Sequence, residues 1–165
     1  MIVIVMGVSG AGKSTVAGLL ARRRGWRFVE ADDFHPPANV EKMSRGIPLD
    51  DADRLPWLAA LAAAIDGLRA DGLGAAVACS ALKRAYRREL MDSRPGMRLV
   101  YLHGDAALIR PRLESRQGHF APPALLQSQL ATLQEPGLDE NPLVLAAAAD
   151  PESIVDAIEA ALTLD

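Results

Sequence analysis

The sequence predicts an α/β fold: a five-stranded parallel sheet with helices on both faces. Three observations carry that expectation. Short apolar runs alternate with helical segments along the 165 residues, as in strand–helix–strand units joined by right-handed crossovers. The first run, Ile2-Val3-Ile4-Val5-Met6, leads straight into Gly7-Val8-Ser9-Gly10-Ala11-Gly12-Lys13-Ser14-Thr15, which fits the phosphate-binding pattern G-x-x-x-x-G-K-[ST] in the strand–loop–helix context it requires. Half of the residues are hydrophobic, enough for a sheet buried on both sides. The fold class is therefore a three-layer αβα P-loop NTPase fold, and the length suits one domain over residues 1–165.

The elements follow in order. After the strand at residues 2 to 6, a helix runs from about 13 to 24. It ends in Arg22-Arg23-Arg24, cations that suit its negative dipole end, and Gly25 stops it. Trp26-Arg27-Phe28-Val29-Glu30 is the second strand and hands over to Ala31-Asp32-Asp33-Phe34-His35-Pro36-Pro37. A short helix near Ala38 to Arg45 and a loop from Gly46 to Asp53 come next. Pro56, a favourable first helical residue, is expected to open a long alanine-rich helix reaching about Ala70. Ala75 to Cys79 is the third strand, Lys83 to Met91 a helix, and Arg98 to Leu102 the fourth strand. Asp105 caps a helix to about Arg116. A Gly/His/Pro loop from Gln117 to Pro123 precedes a helix from Ala124 to about Leu133. Pro142 to Ala147 is the last strand, and Asp150 followed by Pro151 starts the terminal helix.

In a parallel sheet, ligands gather at the carboxyl ends of the strands. At the end of the first strand, glycines let the backbone curl so that N–H groups face phosphate oxygens, and the helix start adds its positive end. Gly7, Ser9, Gly10, Ala11, Gly12, Lys13, Ser14 and Thr15 are thus the expected nucleotide cradle, with ATP and Mg²⁺ as cofactors. Lys13 is expected to reach the β- and γ-phosphates and the Ser14 hydroxyl to sit on Mg²⁺. The second strand ends at Asp32 and Asp33. A carboxylate there is placed to accept a proton from an attacking hydroxyl, and Asp32 is the better candidate; capping of the next segment is the plain alternative. The third strand ends at Cys79-Ser80 where a motor ATPase usually carries an acid, and neither Asn-Lys-x-Asp nor Asp-x-x-Gly occurs. These features point to a small phosphoryl-transfer kinase.

Composition removes other classes. A net charge of −3 argues against a general nucleic-acid surface. The single cysteine, Cys79, rules out a disulfide framework and suits a reducing cytosol. No apolar stretch approaches the roughly 20 residues of a membrane span, and Met1 to Val8 is too short for a secretory signal. The expectation is a cytoplasmic protein without nucleic-acid or membrane partners. Of 18 basic residues only Lys13, Lys42 and Lys83 are lysine, so Lys42 and Lys83 join Lys13 as positions where a compact ammonium is needed.

Several blocks closely resemble the gluconokinase family. They are the P-loop itself, Ala31-Asp32-Asp33-Phe34-His35-Pro36, Glu41-Lys42-Met43 with Gly46-x-Pro48-Leu49, and Asp50-Asp51-x-Asp53-Arg54-x-Pro56-Trp57-Leu58. Cys79-Ser80-Ala81-Leu82-Lys83-x-x-Tyr86-Arg87, Arg116-x-Gly118-His119-Phe120 and Thr132-Leu133-Gln134-Glu135-Pro136 with Asp139-Glu140 complete the set, in order, from residue 2 to about 145. One departure is Glu30, where the family more often has aspartate. The resemblance implies ATP-dependent phosphorylation of D-gluconate at its 6-hydroxyl to give 6-phosphogluconate, by a homodimer. It implies that Asp32 orients and deprotonates the hydroxyl, that Lys13 and Mg²⁺ neutralise the transferring phosphoryl group, and that Arg54 and Lys83, helped by His35, hold the acceptor. The acceptor segment is then about 35–57. Residues 112–123 look like a lid: Arg112 and Arg116 lie on one helix face, Gly118 is a joint and Pro122-Pro123 a stiff boundary. In this reading Arg116 serves the transition state, Arg112 the nucleotide and His119 the acceptor.

Plainer roles stand beside these. Arg54 could pair with Asp50, Asp51 or Asp53, His35 could shape its turn, and Arg112 or Arg116 could pair with Glu114. Trp57 reads as core, and His103 as a structural residue without carboxylate company. Rival functions are phosphorylation of another small acceptor such as shikimate, a nucleotide or adenylylsulfate kinase, and a non-catalytic ATP-binding regulatory domain. The loop between Ala147 and Pro151 is placed by chain order to read adenine.

Overall fold

The computed structural model describes residues 1–115 and 124–163. Five parallel strands, β1 (Ile2–Met6), β2 (Arg27–Glu30), β3 (Ala75–Ala78), β4 (Met97–His103) and β5 (Leu143–Ala146), lie in the order β2-β3-β1-β4-β5. β1 is central: Ile2 is level with both Ala75 and Met97, and Val5 with Ala78 and Val100. Among the described residues seven helices flank the sheet: α1 (Lys13–Arg24), α2 (Pro37–Ser44), α3 (Asp51–Ala70), α4 (Arg84–Met91), α5 (Ala106–Glu114), α6 (Ala124–Thr132) and α7 (Pro151–Leu162). Short 3₁₀ turns at Ala31–Phe34 and Leu138–Glu140 complete the path.

Alternation along the strands builds two cores, because successive side chains leave opposite faces. Val3, Val5, Ala76, Ala78, Val100 and Leu102 pack under α1, α5 and α7, on Val16, Leu20, Ile109, Val155 and Ile158. Ile2, Ile4, Met6, Val77, Leu99 and Tyr101 pack under α3 and α4, on Trp57, Leu61, Ile65, Tyr86 and Leu90. The alanines of β3 leave space for helices to approach from both sides, which makes the alanine-rich, aromatic-poor composition a packing solution.

Local signals set most boundaries. α1 stops at Gly25 in the left-handed region, φ 65°, and the Trp26 N–H returns to the Ala21 carbonyl, a Schellman-type end. Asp105 and Asp150 accept from Leu108 and Ser153 to cap α5 and α7. One expectation fails: α3 opens at Asp51, not at Pro56. Asp50 and Asp53 form a reciprocal box, Asp53 N–H to Asp50 at 2.7 Å and Asp50 N–H to Asp53 at 3.0 Å. Pro56 sits inside the helix on an exposed side, where its missing N–H forfeits one bond to the preceding turn.

A buried ion pair ties the loops at the carboxyl edge together. Arg87, 2 % exposed, donates to both Glu140 oxygens at 2.6 and 2.9 Å, and also to the carbonyls of Ala81, Leu82 and Gln134. One guanidinium therefore holds the β3–α4 loop, in which Ala81 has φ 45°, against the segment after α6. Removing one partner strands a buried charge, typically at a cost of about 3–5 kcal/mol. Arg87→Leu should thus lower the melting temperature by roughly 10 °C, as read by calorimetry. Arg87 also holds the Glu140 carboxyl below the usual carboxylate range. That contribution is complete above the unfolded value, about 4.3, and is lost as pH falls through the folded one. Glu140→Gln should therefore be less stable at pH 7 yet lose less stability between pH 5 and 3; an acid limb as steep as wild type contradicts the pairing.

Candidate active site

The loop after β1 is shaped by positions that accept no side chain. A Cβ on Gly7 would lie 2.9 Å from the Leu102 carbonyl oxygen. Gly10 has φ +86° and its Cβ would meet Ile109 and Leu113 at 2.9 Å. The backbone is thus pressed onto β4 and α5 while it turns, and Gly12, also left-handed, is the N-cap of α1. α1 has neither a side-chain cap nor an acid in its first turn, so its first N–H groups suit an external anion. Lys13 folds back over the loop, its Nζ donating to the Val8 carbonyl at 3.1 Å. The Ser14 hydroxyl donates to Glu30 at 2.5 Å. Burial pushes the Glu30 carboxyl above its ordinary range, against the pull of the Ser14 hydrogen bond.

Beside this loop a cavity opens at the carboxyl ends of β1, β2 and β3. Ser9, Lys13, Asp32, His35, Arg54 and Gln129 supply most of its polar lining, and Met43, Pro48, Leu49 and Trp57 much of its apolar wall. Asp32 enters from the 3₁₀ turn after β2, half-buried, while Asp33 next to it is exposed; the turn separates two carboxylates that were equivalent in the sequence. Trp57 is core, 2 % exposed, with its indole N–H on the Ala31 carbonyl at 2.7 Å. It is also a floor: the His35 ring stacks on it at 4.5 Å and 15°.

His35 has a defined tautomer. The Asn39 amide nitrogen donates to the Asp53 carbonyl at 2.8 Å and lies 3.2 Å from His35 Nδ1. An amide NH₂ can only donate, so Nδ1 accepts and the proton sits on Nε2, assigned from the network. Nε2 lies 3.8 Å from Asp32, directing a positive edge toward that carboxylate. Burial lowers the imidazole's pKa; Asp32 opposes this and Arg54 adds to it.

The cations sort differently. Arg54 lines the cavity, and its Nη1 donates to the Tyr86 hydroxyl at 3.0 Å rather than to any aspartate. Lys83 turns its ammonium to Asp51 at 2.8 Å and is not among the side chains lining the cavity. Lys42 grips both oxygens of Asp53 at 2.9 Å. Two of the three lysines thus neutralise aspartates of the first turn of α3, which accounts for a compact ammonium at both. Arg112 donates to the Ala147 carbonyl at 2.8 Å, joining α5 to the loop that chain order placed for adenine. His103, expected to lack carboxylate company, has its Nε2 3.4 Å from Glu135, because the chain after α6 returns over the end of β4. Cys79 is buried and its thiol pushed up to about 12 by that burial, so it is inert filler. Arg116, His119 and residues 116–123 of the expected lid lie outside the described residues.

Three side chains at the site escaped the sequence reading. Gln129 on α6 accepts from the Ser9 N–H at 2.7 Å and donates to the Ser9 hydroxyl at 3.1 Å, pinning α6 on the phosphate loop. Tyr86 and Asp51 stand behind Arg54. Gln129, one of two glutamines in α6, gives no spacing signal, whereas Tyr86 stood inside a matching block without a reason attached and Asp51 was read only as a possible direct partner of Arg54.

Fold and site together define a P-loop kinase for a small anionic acceptor. The model of the AAA domain family matches residues 2–136. The gluconokinase of Gluconobacter oxydans (strain 621H) is 49% identical over 156 residues, covering 93% of this chain and 86% of that one. Among solved structures, a sugar kinase from Janibacter sp. HTCC2649 superposes with a TM-score of 0.89 at 46% identity, over 95% of this chain and 91% of that one. A gluconokinase from Sinorhizobium meliloti 1021 does so with a TM-score of 0.82 at 44%, over 93% and 86%. The chain belongs to the gluconokinase family.

The His35 environment makes a titration testable by NMR. Its midpoint should lie below about 6.5, the ordinary value, so the ring is neutral at pH 7. Trp57→Leu, which opens the floor, should move it up, and so should Arg54→Gln, which removes a nearby positive charge. A wild-type midpoint above 6.5 contradicts the assignment.

Proposed function

We propose that this protein transfers the γ-phosphoryl group of ATP to the 6-hydroxyl of D-gluconate, giving 6-phosphogluconate and ADP. The observation that carries the reading is a shared cavity: phosphate-loop residues Ser9 and Lys13 line it together with Asp32 and Arg54. The relatives named above as gluconokinases support the choice of acceptor. In this reading Arg54 takes the carboxylate of gluconate and Asp32 the hydroxyl at the opposite end. The 6-oxygen attacks phosphorus as its proton passes to the Asp32 carboxylate; the new O–P bond forms while the bond to the β-phosphate oxygen breaks. The loop N–H groups and Lys13 take the charge on the phosphoryl oxygens. The neutral His35, with Nε2–H toward Asp32, keeps that carboxylate turned to the acceptor without adding a competing cation. Adenine is assigned to the loop from 147 to 151, beside Arg112.

The donor set fits Mg²⁺. A hydroxyl and a half-buried carboxylate, Ser14 and Glu30, meet at the mouth of the phosphate loop, and hard oxygen donors of this kind suit a cation that keeps several waters. Among the described residues no group of three or more His, Cys, Asp or Glu could hold a metal, so phosphates and water would complete its shell. When bound, the ion supplies charge neutralisation across the β- and γ-phosphates. Glu30, one methylene longer than aspartate, reaches Ser14 from the end of β2 and serves in place of the usual residue. The reading extends, on the family resemblance, to a homodimer working in the cytoplasm; among the described residues no helix is long and apolar enough to cross a membrane.

The test is ADP release by the purified protein with Mg-ATP, run in parallel with gluconate, shikimate, adenylylsulfate and nucleoside monophosphates. Gluconate alone should support turnover. Asp32→Asn should lower kcat by about 10²–10⁴-fold, the usual span for a general base, while ATP affinity stays within about twofold. Turnover only with another acceptor, or near-normal turnover by Asp32→Asn, contradicts the reading.

A further inference from the structure

Behind the cavity, four side chains from the starts of α3 and α4 form one polar chain. Arg54 Nη1 donates to the Tyr86 hydroxyl at 3.0 Å, the Tyr86 hydroxyl donates to Asp51, and Lys83 Nζ donates to the same Asp51 oxygen at 2.8 Å. The direction of each bond is dictated by chemistry. A guanidinium has no acceptor and an ionised carboxylate has no donor, so the phenol proton must point to Asp51 and its lone pair must face Arg54. A hydroxyl that gives its proton to a carboxylate becomes the stronger acceptor for the next donor. The Tyr86 ring is buried, 6 % exposed, and is flanked by both cations: the Arg54 guanidinium carbon is 5.4 Å and the Lys83 ammonium 5.7 Å from its centroid. Of these residues only Arg54 also lines the cavity.

This arrangement answers two questions. Arg54 leaves the first turn of α3, and a long, rotamer-rich side chain there needs a fixed support if its fork is to meet an acceptor carboxylate.

 

Tyr86 supplies that support from α4. Lys83 in turn has a partner that explains its position: it offsets the charge of Asp51, on which the Tyr86 hydroxyl is anchored.

We propose that Tyr86 is a positioning residue for the acceptor: anchored on Asp51, its hydroxyl aims the Arg54 guanidinium into the cavity and so sets affinity for the acceptor carboxylate, while Lys83 acts as the countercharge of Asp51 and not as an acceptor ligand. The inference rests on the proposed role of Arg54 and adds the network that makes that role effective. Tyr86→Phe keeps the buried ring and removes both hydrogen bonds. Lys83→Gln keeps a donor near Asp51 and removes the charge.

The experiment is steady-state kinetics of wild type, Tyr86→Phe, Lys83→Gln, Arg54→Lys and the Arg54→Lys/Tyr86→Phe double variant, with melting temperatures as a folding control. Wild-type turnover of gluconate is scored first; its absence removes the proposed function and this inference with it. Tyr86→Phe should raise KM for gluconate about tenfold, as for loss of a hydrogen bond to a charged group, with kcat and KM for ATP within about twofold. Lys83→Gln should raise KM for gluconate less than Tyr86→Phe does. In the Arg54→Lys background the Tyr86→Phe factor should shrink to about one, read as a dissociation constant for gluconate where turnover is slow. An unmoved KM for gluconate in Tyr86→Phe, an equal rise in KM for ATP, or a factor that persists without Arg54 overturns the inference while leaving gluconate turnover standing.

Discussion

The site depends on how tightly the first loop is pressed into the sheet. β1 is the central strand, so the chain leaving it must turn between β3 and β4 and enter α1 within a few residues. That turn brings Gly7 against the Leu102 carbonyl and Gly10 against Ile109 and Leu113. With no room for side chains, the backbone itself becomes the lining, the kind of loop whose N–H groups receive phosphate oxygens. Everything else is arranged around that edge: Glu30 on Ser14, Asp32 on the next turn, and Gln129 on Ser9.

Charge at this edge is organised in pairs that leave selected groups for a ligand. Asp53 is taken by Lys42, Asp51 by Lys83 and Tyr86, and Glu140 by Arg87. The two exposed pairs on α3 add little to stability, about 0–1 kcal/mol, in contrast to the buried Arg87–Glu140 pair. Their effect is to fix geometry: α2 is tied to α3, α3 to α4, and the β3–α4 loop to the segment after α6. Asp32 then faces the cavity together with Arg54 and Lys13.

Much of this was legible in the sequence because the signals were local. The P-loop spacing, the β-branched first strand, Gly25 after an arginine run and the Asp150-Pro151 start each act over a few residues, and each element formed where expected. The start of α3 was misplaced because Pro56 was weighed above the Asp50-x-x-Asp53 box, which was also local and present. The cavity was less legible. Asp32 and Asp33 are neighbours, and only the 3₁₀ turn decides which is half-buried. Partners such as Tyr86 for Arg54, Gln129 for Ser9 and Glu135 for His103 are brought together by the packing of separate elements, and no spacing along the chain encodes them.

The central claim is that the acceptor spans Asp32 and Arg54, with its reacting hydroxyl at the first and its carboxylate at the second. The most direct measurement is a crystal structure with gluconate and an unreactive ATP analogue. The account predicts the gluconate 6-oxygen within hydrogen-bond distance of Asp32 and the carboxylate on the Arg54 guanidinium. Gluconate bound in the reverse sense, or away from either residue, contradicts it.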